Sequence, residues 1–133
     1  MIWSPARYAA TFVLTALGAI ILIALVIMAT GINLGSAAVQ FIPAIFAAMI
    51  EGQRYAKSGA DAPSGPAMWR AAAAMTGIAT GLLMLWTWTQ LTLGGLAITG
   101  TMLVQVVALG ILYFFANRWF FQMGYNAGSK RAR

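Results

Sequence analysis

The sequence predicts an all-α polytopic membrane protein: four transmembrane helices arranged as two antiparallel hairpins, with both termini in the cytoplasm. Three observations carry that expectation. First, the charged side chains fall into three groups: Arg7 alone, then Glu51, Arg54, Lys57, Asp61 and Arg70, then Arg118, Lys130, Arg131 and Arg133. Second, the two intervals between these groups each hold more than forty uncharged, mostly apolar residues. A membrane helix needs only about 20 such residues, so each interval has room for two spans and a short neutral turn. Third, the chain is 62% hydrophobic and 8% charged with a mean hydropathy of +0.84. A soluble domain of this length carries far more surface charge.

The first span is expected over 8–30, where TFVLTALGAIILIALVIMAT is nearly continuous. Its apolar run is longer than the roughly 7–15 residues of a signal-peptide core, and Arg7 is its only preceding charge, so a retained span is expected rather than a cleaved leader. Gly31-Ile32-Asn33-Leu34-Gly35-Ser36 supplies turn residues. The second span, 36–56, is uncharged as far as Ile50 and continues to Arg54 and Lys57, whose heads reach the interface. Pro43 removes one backbone hydrogen bond within it, and a kink is expected near Gln40–Ile42.

Residues 57–66 (KSGADAPSGP) form the polar loop, with Ser64 and Pro66 as helix-start signals. The third span is expected over 68–89, a neutral turn over 90–100, and the fourth span over 101–121. Residues 122–133 read as a polar, mobile tail to a single four-helix domain. Four spans place every Lys and Arg on one side, which the positive-inside rule makes cytoplasmic. Trp3, Tyr8, Tyr55, Trp69, Trp119 and Tyr125 are expected as aromatic anchors there, and Trp86 with Trp88 at the opposite face. The hairpins also echo each other: Arg7 and Arg70, Gly18 and Gly81, Gly31 and Gly94 hold common offsets, and Gln53-Arg54-Tyr55 parallels Asn117-Arg118-Trp119. Such matches fit a duplicated hairpin.

The chemistry-bearing residues are few. Ala73, Gly77 and Gly81 share one face of the third span at four-residue spacing, a surface on which another helix can approach closely. The default use is packing within the bundle; the other is a partner protein or second copy. Ala37, Ala44, Ala48 and Gly52 form a similar strip on the second span. Glu51 is the carboxylate at the membrane boundary, and an ion pair with Arg54 three residues on, or with Arg118 on the fourth span, is expected. Arg54, Arg70 and Arg118 serve as interface anchors. Gln40 and Gln105, with Thr11, Thr15, Thr76 and Thr80, are expected to hydrogen-bond between helices, or to line a polar path in an oligomer. Phe114, Phe115, Trp119, Phe120 and Phe121 make an aromatic belt that could also receive a lipid tail, quinone or pigment, though nothing specifies one.

Without His or Cys, and with two carboxylates, no nucleophile–base pair or metal-ligand set can be assembled. The net charge of +6 flanks apolar spans, which is the pattern of anchoring to anionic lipid rather than of nucleic-acid binding. No catalytic residue, cofactor or metal is expected.

Arg7-Tyr8, the run Gly52-Gln53-Arg54-Tyr55-Ala56, and Pro63 followed by Trp69-Arg70-Ala71 together resemble the ABZJ-type four-span bacterial inner-membrane proteins. In that family an acidic residue often precedes the Trp-Arg pair, where this chain has Pro66-Ala67-Met68. The resemblance implies the topology and no activity. The expected function is a non-enzymatic accessory or scaffold subunit of a larger inner-membrane complex, such as a bioenergetic or photosynthetic one, with lipids and other integral membrane proteins as partners. The alternative is a small homo-oligomeric transporter or channel.

Overall fold

A computed structural model describes residues 3–32 and 36–131, with side chains described over 3–32 and 40–130. The turn residues Asn33, Leu34 and Gly35, the side chain of Ala37, and those of Arg131 and Arg133 lie outside the described residues. The chain is all-helical: α1 Pro5–Thr30, α2 Ser36–Lys57, α3 Gly65–Leu93 and α4 Gly100–Arg131. α1, α3 and α4 are each long and apolar enough to cross a membrane. α2 is not among these over its described residues; it carries Glu51, Arg54 and Lys57 in its second half.

Local signals set the ends of the helices. Ser4 has extended backbone (φ −108°, ψ 118°) at the head of α1, its hydroxyl accepts a long 3.4 Å bond from the Arg7 N–H, and Pro5 occupies the first turn. These residues start α1 three positions earlier than expected. Gly31 stops it with φ 70°, a left-handed cap that glycine adopts without Cβ strain, and its N–H donates to the Ile27 carbonyl at 2.8 Å. Ser64 heads α3 with extended backbone but forms no side-chain cap bond. α3 passes Thr89 and runs to Leu93, because nothing between Gln90 and Leu93 interrupts a helix before the Gly94-Gly95 pair, where Gly95 has φ 66°.

The largest departure lies at the C-terminal end. Residues 122–131, expected as a mobile tail, continue α4. Gly124 and Gly128 are buried, so this segment is held by packing against α2 rather than fraying into solvent. α2 stays helical through Pro43, and the Tyr113 hydroxyl donates to the Gln40 carbonyl at 2.7 Å on the turn that the proline interrupts.

The principal packing is α2 against α4, with α1 laid on α2 and α3 on α4, while α1 and α3 meet only lightly. Phe41 meets Tyr113, and Tyr55 meets Phe121 and Tyr125, so numbers rise together along α2 and α4. Along α1 and α2 they run oppositely: Arg7 pairs with Glu51, and Thr15 faces Pro43.

Burial is uneven along the helices. In α1 the buried residues stop at Ala19, in α3 they run only from Met68 to Ala79, and in α4 they start at Tyr113. One end of the bundle, carrying Trp3, Tyr8, Met75 and Phe121, is therefore packed to a core. At the other end, apolar side chains such as Met28 (83% exposed) and Val104 (69%) face outward. Apolar surface of that extent has no favourable place in water and is stable against hydrocarbon.

Candidate functional site

Glu51 is the most heavily engaged charge in the molecule. It is 1% exposed, at a point where α2 passes beneath the start of α1. Arg7 grips it through one edge of its guanidinium, Nε donating to Oε1 at 3.4 Å and Nη2 to Oε2 at 3.3 Å. Arg54, one turn along α2, donates from Nη1 to Oε1 at 3.2 Å, and the Ser4 N–H reaches Oε2 at 3.4 Å. The two guanidinium side chains are about half exposed (53% and 49%), so the cluster couples a buried carboxylate to cations at a polar boundary. Sequence spacing identified the Arg54 pair. The alternative partner, Arg118, is replaced by Arg7, because the phase of α4 turns Arg118 toward α3.

Asn117, the residue before Arg118, points into the core instead. Its Oδ1 accepts from the Tyr8 hydroxyl at 2.9 Å, and its Nδ2 donates to Thr76 Oγ1 at 3.2 Å. Tyr8 and Asn117 are both fully buried, so α1, α3 and α4 are tied by one hydrogen-bonded bridge. Tyr8 thus belongs to the core and not to the aromatic belt, and so do Trp3 and Tyr55. Trp69, Trp119, Trp86 and Trp88 do stand on the exposed surface. Of the expected polar bridges, Thr76 forms one, whereas Gln105 is exposed and Gln40 contributes its backbone carbonyl. Thr15 spends its hydroxyl chiefly on its own helix, bonding the Thr11 carbonyl at 2.7 Å. Thr80 Oγ1 is buried with no partner among the described residues.

Two strips of small residues behave differently. Ala44, Ala48 and Gly52 on α2 are buried against α4. A Cβ at Gly52 would collide with the Phe121 carbonyl and approach the Tyr125 nitrogen at 2.9 Å. From the other side, a Cβ at Gly124 would collide with the Met49 carbonyl, and one at Gly128 would sit 2.9 Å from the Gln53 carbonyl. Backbones therefore touch along this seam, as the small-xxx-small pattern allows. Gly124 and Gly128, four residues apart, are the signal that the sequence reading missed, because they stand in the polar run taken for a tail.

Ala73, Gly77 and Gly81 do the opposite. All three are exposed on α3, and nothing described stands within 4 Å of a Cβ placed at either glycine. The expectation that they pack within the bundle is not met. Met68, Ala72, Met75 and Ala79 fill the core side of α3, and helical geometry puts Ala73, Gly77 and Gly81 on the far side.

Of the remaining anchors, Arg70 is exposed and borders an apolar cleft of about 390 Å³ walled by Trp3, Tyr55 and Phe121. A larger cleft of about 710 Å³ opens between the outer parts of α1 and α3, walled by Leu17, Ile20, Leu82 and Trp86 and reaching Tyr113. Arg118 lies over the Trp69 ring at 4.3 Å. No group of three or more His, Cys, Asp or Glu comes together among the described residues. No family model, curated protein or solved structure matches this chain.

Proposed function

We propose that the protein is a four-span inner-membrane protein of two hairpins with both termini cytoplasmic, acting as a non-enzymatic accessory or scaffold subunit of a larger membrane complex. The observation that carries the proposal is the outward face of α3. Its Ala73, Gly77 and Gly81 repeat the small-residue pattern that brings α2 and α4 into backbone contact, yet nothing among the described residues occupies it. Lipid supplies no hydrophobic drive for helix association, so a smooth strip gains its van der Waals contacts only from another helix. The occupant is taken to be a transmembrane helix of the host complex. The orientation rests on the gathering of Arg7, Arg54, Lys57, Arg70, Arg118 and Lys130 near the segments that would face the cytoplasm. Docking on a larger assembly also suits a chain with two carboxylates, one of them already neutralised by two arginines.

The test is native mass determination after gentle extraction from the original membrane at endogenous expression, with co-purifying proteins identified. Stoichiometric recovery with one larger complex, lost in the Gly77→Leu/Gly81→Leu variant, supports the proposal. A lone monomer from wild type refutes it. A discrete homo-oligomer instead favours the transporter or channel reading, in which Glu51→Gln must abolish a flux measured in proteoliposomes.

A further inference from the structure

Arg118 combines features that call for a ligand from outside the chain. Its guanidinium carbon stands 4.3 Å from the centroid of the Trp69 ring, and Trp69 in turn stacks on Phe114 at 5.1 Å between centroids. The cation–π contact holds the guanidinium in place, and its terminal N–H groups remain to hydrogen-bond. Nε is closed off beneath the surface with no partner among the described residues, so an outside group meets the two terminal nitrogens, and the ion pairs among those residues, Arg7–Glu51 and Arg54–Glu51, do not include Arg118. A partly buried cation without an anion is costly, and a planar fork is matched best by a carboxylate or a phosphate.

The surroundings favour a lipid phosphate. Phe115 (58% exposed) and Trp119 (67%) flank Arg118 on α4, and Ile111 and Leu112 are exposed further along it, toward the apolar stretch. Trp119 turns its indole N–H to the Met123 sulfur at 3.1 Å, so it offers ring surface rather than a competing donor. A cation at the charged end of the helices, above a track of exposed aromatic and aliphatic side chains, matches a headgroup with acyl chains running down from it.

We propose that Arg118, held on Trp69, is the phosphate-recognising residue of an anionic-phospholipid site on the outer surface between α3 and α4. The proposal rests on the membrane reading of these helices. Anionic lipid is preferred over zwitterionic lipid because no carboxylate stands beside Arg118 to receive an ammonium group, and basic pockets between membrane helices favour anionic headgroups.

The experiment counts lipids bound to the full chain by native mass spectrometry, after reconstitution in equal mixtures of phosphatidylglycerol and phosphatidylcholine. Wild type is expected to retain one phosphatidylglycerol about tenfold over phosphatidylcholine, and Arg118→Gln to lose that preference. Arg118→Lys should fall between them, since it keeps the charge without the fork, and Arg70→Gln, in the separate cleft, should match wild type. Equal retention of both lipids by wild type, or an undiminished preference in Arg118→Gln, overturns the site. Should Arg118→Gln lose its helical circular dichroism, a photoactivatable phosphatidylglycerol decides with wild type alone. Labelling at Trp69, Phe115 or Trp119 upholds the site, and labelling confined to other segments overturns it. A chain that stays in solution without detergent removes the membrane reading itself, whereas one that inserts but shows no lipid preference removes only this proposal.

Discussion

The seam between α2 and α4 and the outer face of α3 are written in the same residues and put to different uses. On the seam, Ala48, Gly52, Gly124 and Gly128 bring two backbones together, and a Cβ at any of the three glycines would strike or crowd the facing helix. On α3, Ala73, Gly77 and Gly81 keep the same four-residue rhythm with open space above them. The comparison teaches that small-xxx-small spacing marks a surface able to accept a helix. Which surface is filled from within the chain depends on what lies opposite: α3 has Met68 and Met75 for its core side, whereas α2 and α4 meet through their glycines.

Substitutions break this comparison in a definite order. The largest effect is expected at the seam, where Gly124→Leu or Gly52→Leu forces a side chain into facing backbone that cannot move aside. The loss should be on the order of 3 kcal/mol or more, seen as failure to recover folded protein or a steep fall in thermal midpoint. Next comes Asn117→Leu, which removes the bridge and leaves the fully buried Tyr8 hydroxyl without its acceptor. A cost of about 1–3 kcal/mol is expected in detergent denaturation, and Tyr8→Phe in the same background should recover part of it. Glu51→Gln should cost less, about 1 kcal/mol, since Arg7 and Arg54 are half exposed and stay solvated when the carboxylate is lost. Its signature is easier proteolysis around Trp3 and Ser4, which the cluster ties down. The smallest effect on stability is expected on α3, where Gly77→Leu and Gly81→Leu should leave the midpoint unchanged or slightly raised, since leucine is the better helix former. An equal loss at seam and outer face would abolish the distinction.

The all-helical character and the three long apolar helices were legible in the sequence because they depend on quantities summed over long windows. The charge-free intervals predicted apolar helices, and Gly31 and the Gly94-Gly95 pair marked where two of them end. The span ends were less legible: the cap at Ser4 and the uninterrupted Gln90–Leu93 lengthened α1 and α3. The tail was misread because Asn126, Ser129 and Lys130 look like solvent-facing residues, while the two glycines that dock the segment carry no hydropathy of their own. At the site, the Glu51–Arg54 pair followed from helical spacing. The Arg7 contact needed the register of α1 on α2, across 44 positions of sequence. The Tyr8–Asn117–Thr76 bridge joins three helices, and no local pattern relates those residues. Arg118 could be assigned to Glu51 or to Trp69 only once the rotation of α4 was known.

The most direct measurement of the central claim is in-membrane photo-crosslinking, with a photoreactive residue placed at Ala73 on the α3 face and, as a comparison, at Leu22 on the exposed side of α1. The account predicts a single protein adduct of defined mass from position 73, and lipid adducts from position 22. Lipid adducts alone from both positions would mean that the α3 face meets only the bilayer, and would contradict the account.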